Sequence, residues 1–353
     1  MSCLKPRILR LEAYTVSQEP GCVKLNQNEA PDDLPPEEKR AVLARLGDIA
    51  WNRYPSQGAE ALVRRLSADL DFPAEGILVG NGSNEIIQTL VTAACGPDDR
   101  LVTVTPGFAV YKRVAATLGV GVEESPLRED FSFDLDDLIA RGRGASLVIF
   151  ASPNNPTGTA IEPGGVEKLL KAVDGLVAVD EAYVEFHGST ALRLTAEHEN
   201  LVILRTFSKA MGLAGLRLGF LLGPPALVRE LAKAKLPFSA GALQQAVALE
   251  VLARPDLIER RVRAIVAERE RLTEALARMP GVNPVASRAN FVLFGLRDLP
   301  AAAVYERLLE GGVLVRPFGG PRLEDKLRVT VGTPPENDAF LAGLRRVCAG
   351  ART

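Results

Sequence analysis

Seven short runs of apolar, largely β-branched residues recur before residue 223, at 77–80, 101–104, 120–123, 147–150, 176–180, 201–205 and 218–222. Most are separated by enough chain for a helical crossover, and their near-continuous apolar character is that of strands buried on both faces. Few architectures accommodate such a pattern. It predicts an α/β chain whose larger unit is a mainly parallel seven-stranded sheet sandwiched by helices. The run at 218–222 comes too soon after its predecessor for an ordinary crossover and is expected to run antiparallel.

After Gly241 the pattern changes. Pro255 and Asp256 open a helix on which Ile258, Val262, Ile265, Val266, Leu272 and Leu276 share one face. Runs at 291–296, 313–317 and 327–331 read as strands, with helices before and after the last two, giving a smaller α+β unit. The N-terminal segment, 1–48, has no sheet pattern of its own and contains PDDLPP, so it is expected to cross the surface and join that smaller unit. The predicted division is therefore segment 1–48, a large unit 49–245 and a small unit 246–353, which suits a chain of 353 residues.

Composition excludes several kinds of chemistry. The net charge is −2, with 42 basic residues scattered among 44 acidic ones, so no nucleic-acid footprint stands out. The RRVR stretch at 260–263 lies within the amphipathic pattern and reads as a solvated helix face. His187 and His198 are the only histidines, which rules out a multi-histidine metal site and disfavours a Ser/His or Cys/His triad. Cys3, Cys22, Cys95 and Cys348 match neither zinc nor CxxC spacing and read as reduced thiols. No apolar run approaches the ~20 residues of a membrane helix, and MSCLKPRILRL has no secretory core, so a cytoplasmic protein that binds no membrane is expected. The chemistry must come from lysine, carboxylates or a cofactor.

Ligands of open α/β sheets bind beyond the carboxyl ends of the strands, so the residues just after each run are informative. The first run leads into Asn81-Gly82-Ser83-Asn84-Glu85, where a glycine turn and a helix start suit a phosphate; the same residues also suit an ordinary helix start capped by Ser83 or Asn84. Glu85 stands where a dinucleotide fingerprint needs its third glycine. After 147–150 comes Ser152-Pro-Asn-Asn155-Pro-Thr-Gly158, a rigid loop that leaves the Asn155 amide free for presentation. The run at 176–180 ends in Asp180, a buried carboxylate that requires either a cationic ligand or a structural arginine, with Tyr183 three residues later. The run at 201–205 leads to Thr206, Ser208 and Lys209, with Arg217 beyond a glycine-rich turn. One small molecule uses all of these. Pyridoxal 5'-phosphate needs donors for its phosphate (Ser83, Asn84, Thr206, Ser208, Arg217), partners for its phenolic oxygen (Asn155, Tyr183), a carboxylate for its ring nitrogen (Asp180) and a lysine for its aldehyde (Lys209).

SPNNPTG, VAVDEAYVEF, RTFSKAMGLAGLRLGF and LRVTVGT, in this order and spacing, resemble fold-type I aminotransferases, most closely the histidinol-phosphate aminotransferase family, from about Leu25 to Asn337. The resemblance implies Lys209 as cofactor-bearing lysine and proton shuttle, Asp180 on the pyridine nitrogen, and Tyr183 with Asn155 at the phenolic oxygen. It also implies Arg217, Thr206 and Ser208 at the phosphate, Phe108 stacked on the ring, and Arg328 on the substrate's α-carboxylate. Tyr54 matches a tyrosine that reaches the cofactor phosphate of a neighbouring subunit, which implies a homodimer with shared sites. Two features depart from the family pattern: Asn26-Gln27-Asn28-Glu29-Ala30-Pro31-Asp32-Asp33 near the N-terminus, and Ser83-Asn84 in place of an Ala-Asp pair.

The implied reaction moves an amino group from a small-molecule donor, histidinol phosphate by the resemblance, to a 2-oxo acid such as 2-oxoglutarate. Arg328, Arg316 and Tyr14 are the candidates for substrate anions, with Arg322 behind them. An aromatic amino-acid aminotransferase and a threonine-phosphate decarboxylase fit the same scaffold. A non-catalytic cofactor-binding regulator and a nicotinamide oxidoreductase are the readings from other classes.

Overall fold

All seven runs form strands of one sheet. The computed structural model describes residues 3–13 and 15–350. After a two-residue strand β1 (Val23–Lys24), the large sheet comprises β2 (Ile77–Gly80), β3 (Arg100–Thr105), β4 (Gly121–Pro126), β5 (Leu147–Ala151), β6 (Leu176–Asp180), β7 (Leu201–Thr206) and β8 (Gly219–Leu222). Their spatial order is β2-β8-β7-β6-β5-β3-β4. Pairings among β3 to β7 are parallel, whereas β8 runs antiparallel to both β7 and β2. The expected antiparallel strand at 218–222 is thus observed.

Helices cover both faces because the strands are apolar on both. Helix α1 (Gly82–Ala94) and helix α2 (Ala109–Leu118) press Ile86, Ile87, Leu90, Val91, Tyr111 and Ala115 onto one face. The other face packs Phe150, Val177, Val179, Ile203 and Phe220 against residues such as Leu169, Val247 and Val251. The parallel strand ends therefore emerge between two layers of helix, and the chain leaves each as a loop.

A separate core surrounds β9 (Val282–Pro284), β10 (Phe291–Leu296), β12 (Arg316–Pro317) and β13 (Lys326–Thr330), a four-stranded sheet of order β12-β13-β10-β9. Helix α3 (Pro255–Ala277) carries proline in its first turn and buries Ile265, Leu272 and Leu276 against it. Three expectations need correction. The run at 313–317 divides: β11 (Val313–Leu314) pairs in parallel with β1, while β12 joins β13. The N-terminal segment does contain a strand, β1, which two residues of alternation cannot announce. The RRVR stretch is also not wholly solvated, since Arg261 is buried and its guanidinium holds Asp32 at 3.0 Å. That pair fixes the N-terminal segment to helix α3.

Candidate active site

The ends of β2, β3, β5, β6 and β7 surround a cavity of about 690 Å³, closed on its far side by residues of the N-terminal segment and of the small sheet. Asp180 ends β6 and is 3% exposed; its Oδ2 accepts from the Tyr111 hydroxyl at 2.7 Å and its Oδ1 from the Ala182 amide at 3.0 Å. Burial raises its carboxyl to about 6, against the pull of the hydrogen bonds. The structural arginine anticipated as an alternative partner goes elsewhere. Arg205, at the end of β7, pairs with the neighbouring Glu181 at 2.9 Å. Successive side chains of a strand point to opposite faces, so Glu181 takes the arginine and Asp180 is left to the cavity.

Lys209 lies just beyond β7, and its Nζ donates to the carbonyls of Gln27 at 3.1 Å and Asn28 at 2.8 Å. Burial depresses this amine to about 7, helped by the nearby Arg328. Tyr183 is buried edge-on to Phe291, with ring centroids 5.3 Å apart, and its hydroxyl accepts from Asn28 Nδ2 at 3.0 Å. Asn155 lines the cavity and accepts at Oδ1 from Arg328 Nη1, while Arg328 Nη2 donates to the Asn26 carbonyl at 2.9 Å. Phe108 caps helix α2 at the cavity wall.

At the other end lie the groups suited to a phosphate. Helix α1 begins at Gly82, so Ser83 and Asn84 sit in its first turn with amides that have no helical partner. Asn81, not Ser83 or Asn84, occupies the cap position, and its amide donates to Glu85. Thr206 Oγ1 and Ser208 Oγ lie 3.0 Å apart, and Arg217 Nη1 reaches Ser208 Oγ at 3.3 Å. The cradle is built around missing side chains. A Cβ on Gly82, whose φ is +74°, would stand 2.7 Å from Arg217 Nη2, and one on Gly219 would stand 2.6 Å from the Ser83 nitrogen. The residues present therefore fit pyridoxal phosphate: an anion cradle, a buried carboxylate, an aromatic wall and a depressed lysine in one cavity.

Of the remaining sequence candidates, Arg316 lines the same cavity. Tyr54 does not: it is 82% exposed and stacks on Phe238 at 4.8 Å. Arg322 donates to the Leu127 and Arg128 carbonyls. Tyr14 lies outside the described residues. Sequence reasoning missed Tyr111 and Asn28. Tyr111 sits three residues after Phe108, the spacing that puts two residues on one helix face, and this was a usable signal. Asn28 adopts φ +53°, a conformation asparagine tolerates, and bridges Lys209, Tyr183 and Thr330, which no local pattern shows.

A family model for class I and II aminotransferases matches residues 20–344. The chain belongs to that family. Its cofactor is accordingly pyridoxal phosphate, and the chain is a pyridoxal-phosphate-dependent transferase of amino groups. Histidinol-phosphate aminotransferase 2 of Nitrosococcus oceani is 40% identical over 347 residues, covering 97% of this chain and 96% of the relative. The histidinol-phosphate aminotransferase of Chlorobium phaeovibrioides is 37% identical over 355 residues, covering 99% and 98%. Among solved structures, the histidinol-phosphate aminotransferase of Sinorhizobium meliloti in complex with pyridoxal-5'-phosphate superposes with a TM-score of 0.89 at 26% identity, over 99% of this chain and 98% of that one. This aminotransferase thus shares its whole length, and not merely its cofactor unit, with those relatives.

Proposed function

We propose that the enzyme transfers the amino group of histidinol phosphate to 2-oxoglutarate, giving imidazole-acetol phosphate and glutamate in histidine biosynthesis. The observation that carries the reading is the placement of two guanidinium groups on one wall. Arg316 and Arg328 are register partners on β12 and β13, and both line the cavity that holds Lys209. Such a wall accepts a phosphate or a second carboxylate, the feature that distinguishes these two substrates from a simple apolar amino acid. The near full-length likeness to histidinol-phosphate aminotransferases supports the same choice.

When bound, pyridoxal phosphate supplies an aldehyde and an electron-accepting ring. The chain's residues do the rest. Thr206, Ser208, Arg217 and the start of helix α1 hold the phosphate; Asp180 keeps a proton on the ring nitrogen; Tyr183 and Asn155 donate to the phenolic oxygen; Phe108 covers the ring face. Arg328 clamps the substrate's anionic group near the α-carbon. Lys209 Nζ would take the proton from the substrate's α-carbon and return one at the cofactor's aldehyde carbon, a shuttle that needs an amine able to be neutral near pH 7. Its depressed proton affinity meets that need.

The working unit on this reading is a cytoplasmic homodimer in which Tyr54 of each copy reaches the other's phosphate cradle. Support comes from Tyr54 stacked on Phe238 and from exposed Trp51 nearby in sequence, apolar groups that a second copy would cover. Each copy comprises the segment 1–48, a large unit 49–245 and a small unit 246–353, in keeping with two sheets that each have a core. Loaded enzyme given 2-oxoglutarate and either histidinol phosphate, phenylalanine or threonine phosphate tests the assignment. The highest kcat/KM is expected with histidinol phosphate; absence of glutamate formation from that donor refutes it.

A further inference from the structure

Tyr111 belongs to helix α2, is 1% exposed and lies in the apolar layer beneath the sheet. A buried position of that kind is ordinarily filled by phenylalanine unless the hydroxyl has a partner. Here the partner is Asp180 Oδ2, at 2.7 Å. The second oxygen of the same carboxylate is held by the Ala182 amide at 3.0 Å. With one donor on each oxygen the carboxylate cannot rotate, and each oxygen keeps a further lone pair for a ligand in the cavity.

We propose that Tyr111 is a positioning residue for the amino-transfer reaction: its hydroxyl fixes the Asp180 carboxylate and holds it ionised against the cofactor's ring nitrogen. The proposal rests on Asp180 as the partner of that nitrogen. Phe108, on the same helix face, meets the Tyr111 ring edge-on at 5.4 Å and 85°. One turn of helix α2 thereby sets both the wall against the ring and the orientation of its counter-ion.

The ionisable surroundings of Asp180 are few. Glu181 adjoins it in sequence, pairs with Arg205, and adds a smaller push in the same direction as burial. Lys209 approaches from the loop after β7 and is held on main-chain carbonyls. Tyr183, beyond β6, is engaged by Asn28. Burial drives the Asp180 carboxyl up, and the Tyr111 hydrogen bond is the largest influence opposing it. The phenol is itself pushed well above 10 by burial and by Asp180, so it remains a donor across the working pH range. Removing the hydroxyl therefore favours the protonated carboxyl, which no longer balances a ring cation.

The test uses the full-length holoenzyme and its apo form. Tyr111→Phe should raise the acid limb of the kcat profile by about one to two pH units, the worth of one hydrogen bond to a charged group. The KM for the amino donor should stay within about twofold, because the substituted group touches no substrate. Titration of apoenzyme with pyridoxal phosphate should show affinity weakened about tenfold, and the 15N resonance of ring-labelled cofactor should move toward its unprotonated position at neutral pH. Replacing Tyr111 by 3-fluorotyrosine, a stronger donor of nearly equal size, should move the acid limb the opposite way. Asp180→Asn separates the two ideas. If it changes neither affinity nor the 15N resonance, the assignment of Asp180 fails; if it changes both while Tyr111→Phe changes neither, only the role of Tyr111 is overturned. Effects of the two substitutions that simply add in the double variant also overturn it. Should Tyr111→Phe not fold, an unmoved acid limb in the fluorotyrosine enzyme is decisive against the proposal.

Discussion

The depressed proton affinity of Lys209 makes a prediction that can be read without the cofactor. The amine falls from an ordinary 10.5 to about 7, through burial first and the Arg328 cation second. The neutral form is the nucleophile, so reactivity of Lys209 should rise with pH and level off above about 7. At pH 6 about one amine in ten is neutral, against about three in a hundred thousand for an unperturbed lysine. Brief reductive methylation of the apoenzyme between pH 5.5 and 10, with the modified peptides quantified by mass spectrometry, measures this directly. Arg328→Gln removes the second cause while leaving burial in place, so the Lys209 midpoint should rise yet stay below the ordinary 10.5. A wild-type midpoint near the ordinary 10.5 refutes the argument, because burial and a nearby cation would then have had no net effect on the amine.

Arg328→Lys should raise the KM of both the amino donor and the oxo acid by about 10- to 100-fold, since an ammonium replaces a planar fork; steady-state kinetics of each half-reaction checks this. Gly82→Ala should weaken cofactor binding at least tenfold, or roughly 1–2 kcal/mol, because the new methyl meets Arg217 Nη2 at a positive φ; equilibrium titration of the apoenzyme is the measurement. Arg205→Met should cost about 3–5 kcal/mol of apoenzyme stability in urea, because Glu181, only 1% exposed, loses the guanidinium that pairs with it. Arg205→Met paired with Glu181→Gln should recover much of that loss.

The sequence revealed most where local pattern and buried context agree. The strands Leu176–Asp180 and Phe291–Leu296 have the predicted limits, since a central strand is apolar throughout and its end is marked by the first polar residue. β1 escaped because it has two residues and exists only through its pairing with β11, itself read only as part of one longer strand. The turn at Val315, where the chain passes from one sheet to the next, lies inside a continuous apolar stretch and has no breaker to signal it. The same distinction governs the site. Residues at strand ends, from Ser83 to Arg217, are legible because topology delivers all such ends to one rim. Tyr111 and Asn28 act through partners 69 and 155 residues distant, and only the folded chain brings them there.

The part played by Asn28 shows why the N-terminal segment belongs to the chemistry. A neutral lysine amine has two N–H donors and one lone pair. In Lys209 both donors are occupied, by the Gln27 and Asn28 carbonyls, so the lone pair is the one direction left open for attack. The neighbouring Asn26 carbonyl holds Arg328, and Asp32 is pinned by Arg261 of helix α3. Three consecutive residues of main chain, Asn26 to Asn28, thus tie the lysine of the large sheet to the arginine of the small one. Displacing this segment alters the aim of the amine and the anchor of the substrate together, whereas a change in either side chain alone leaves the other in place.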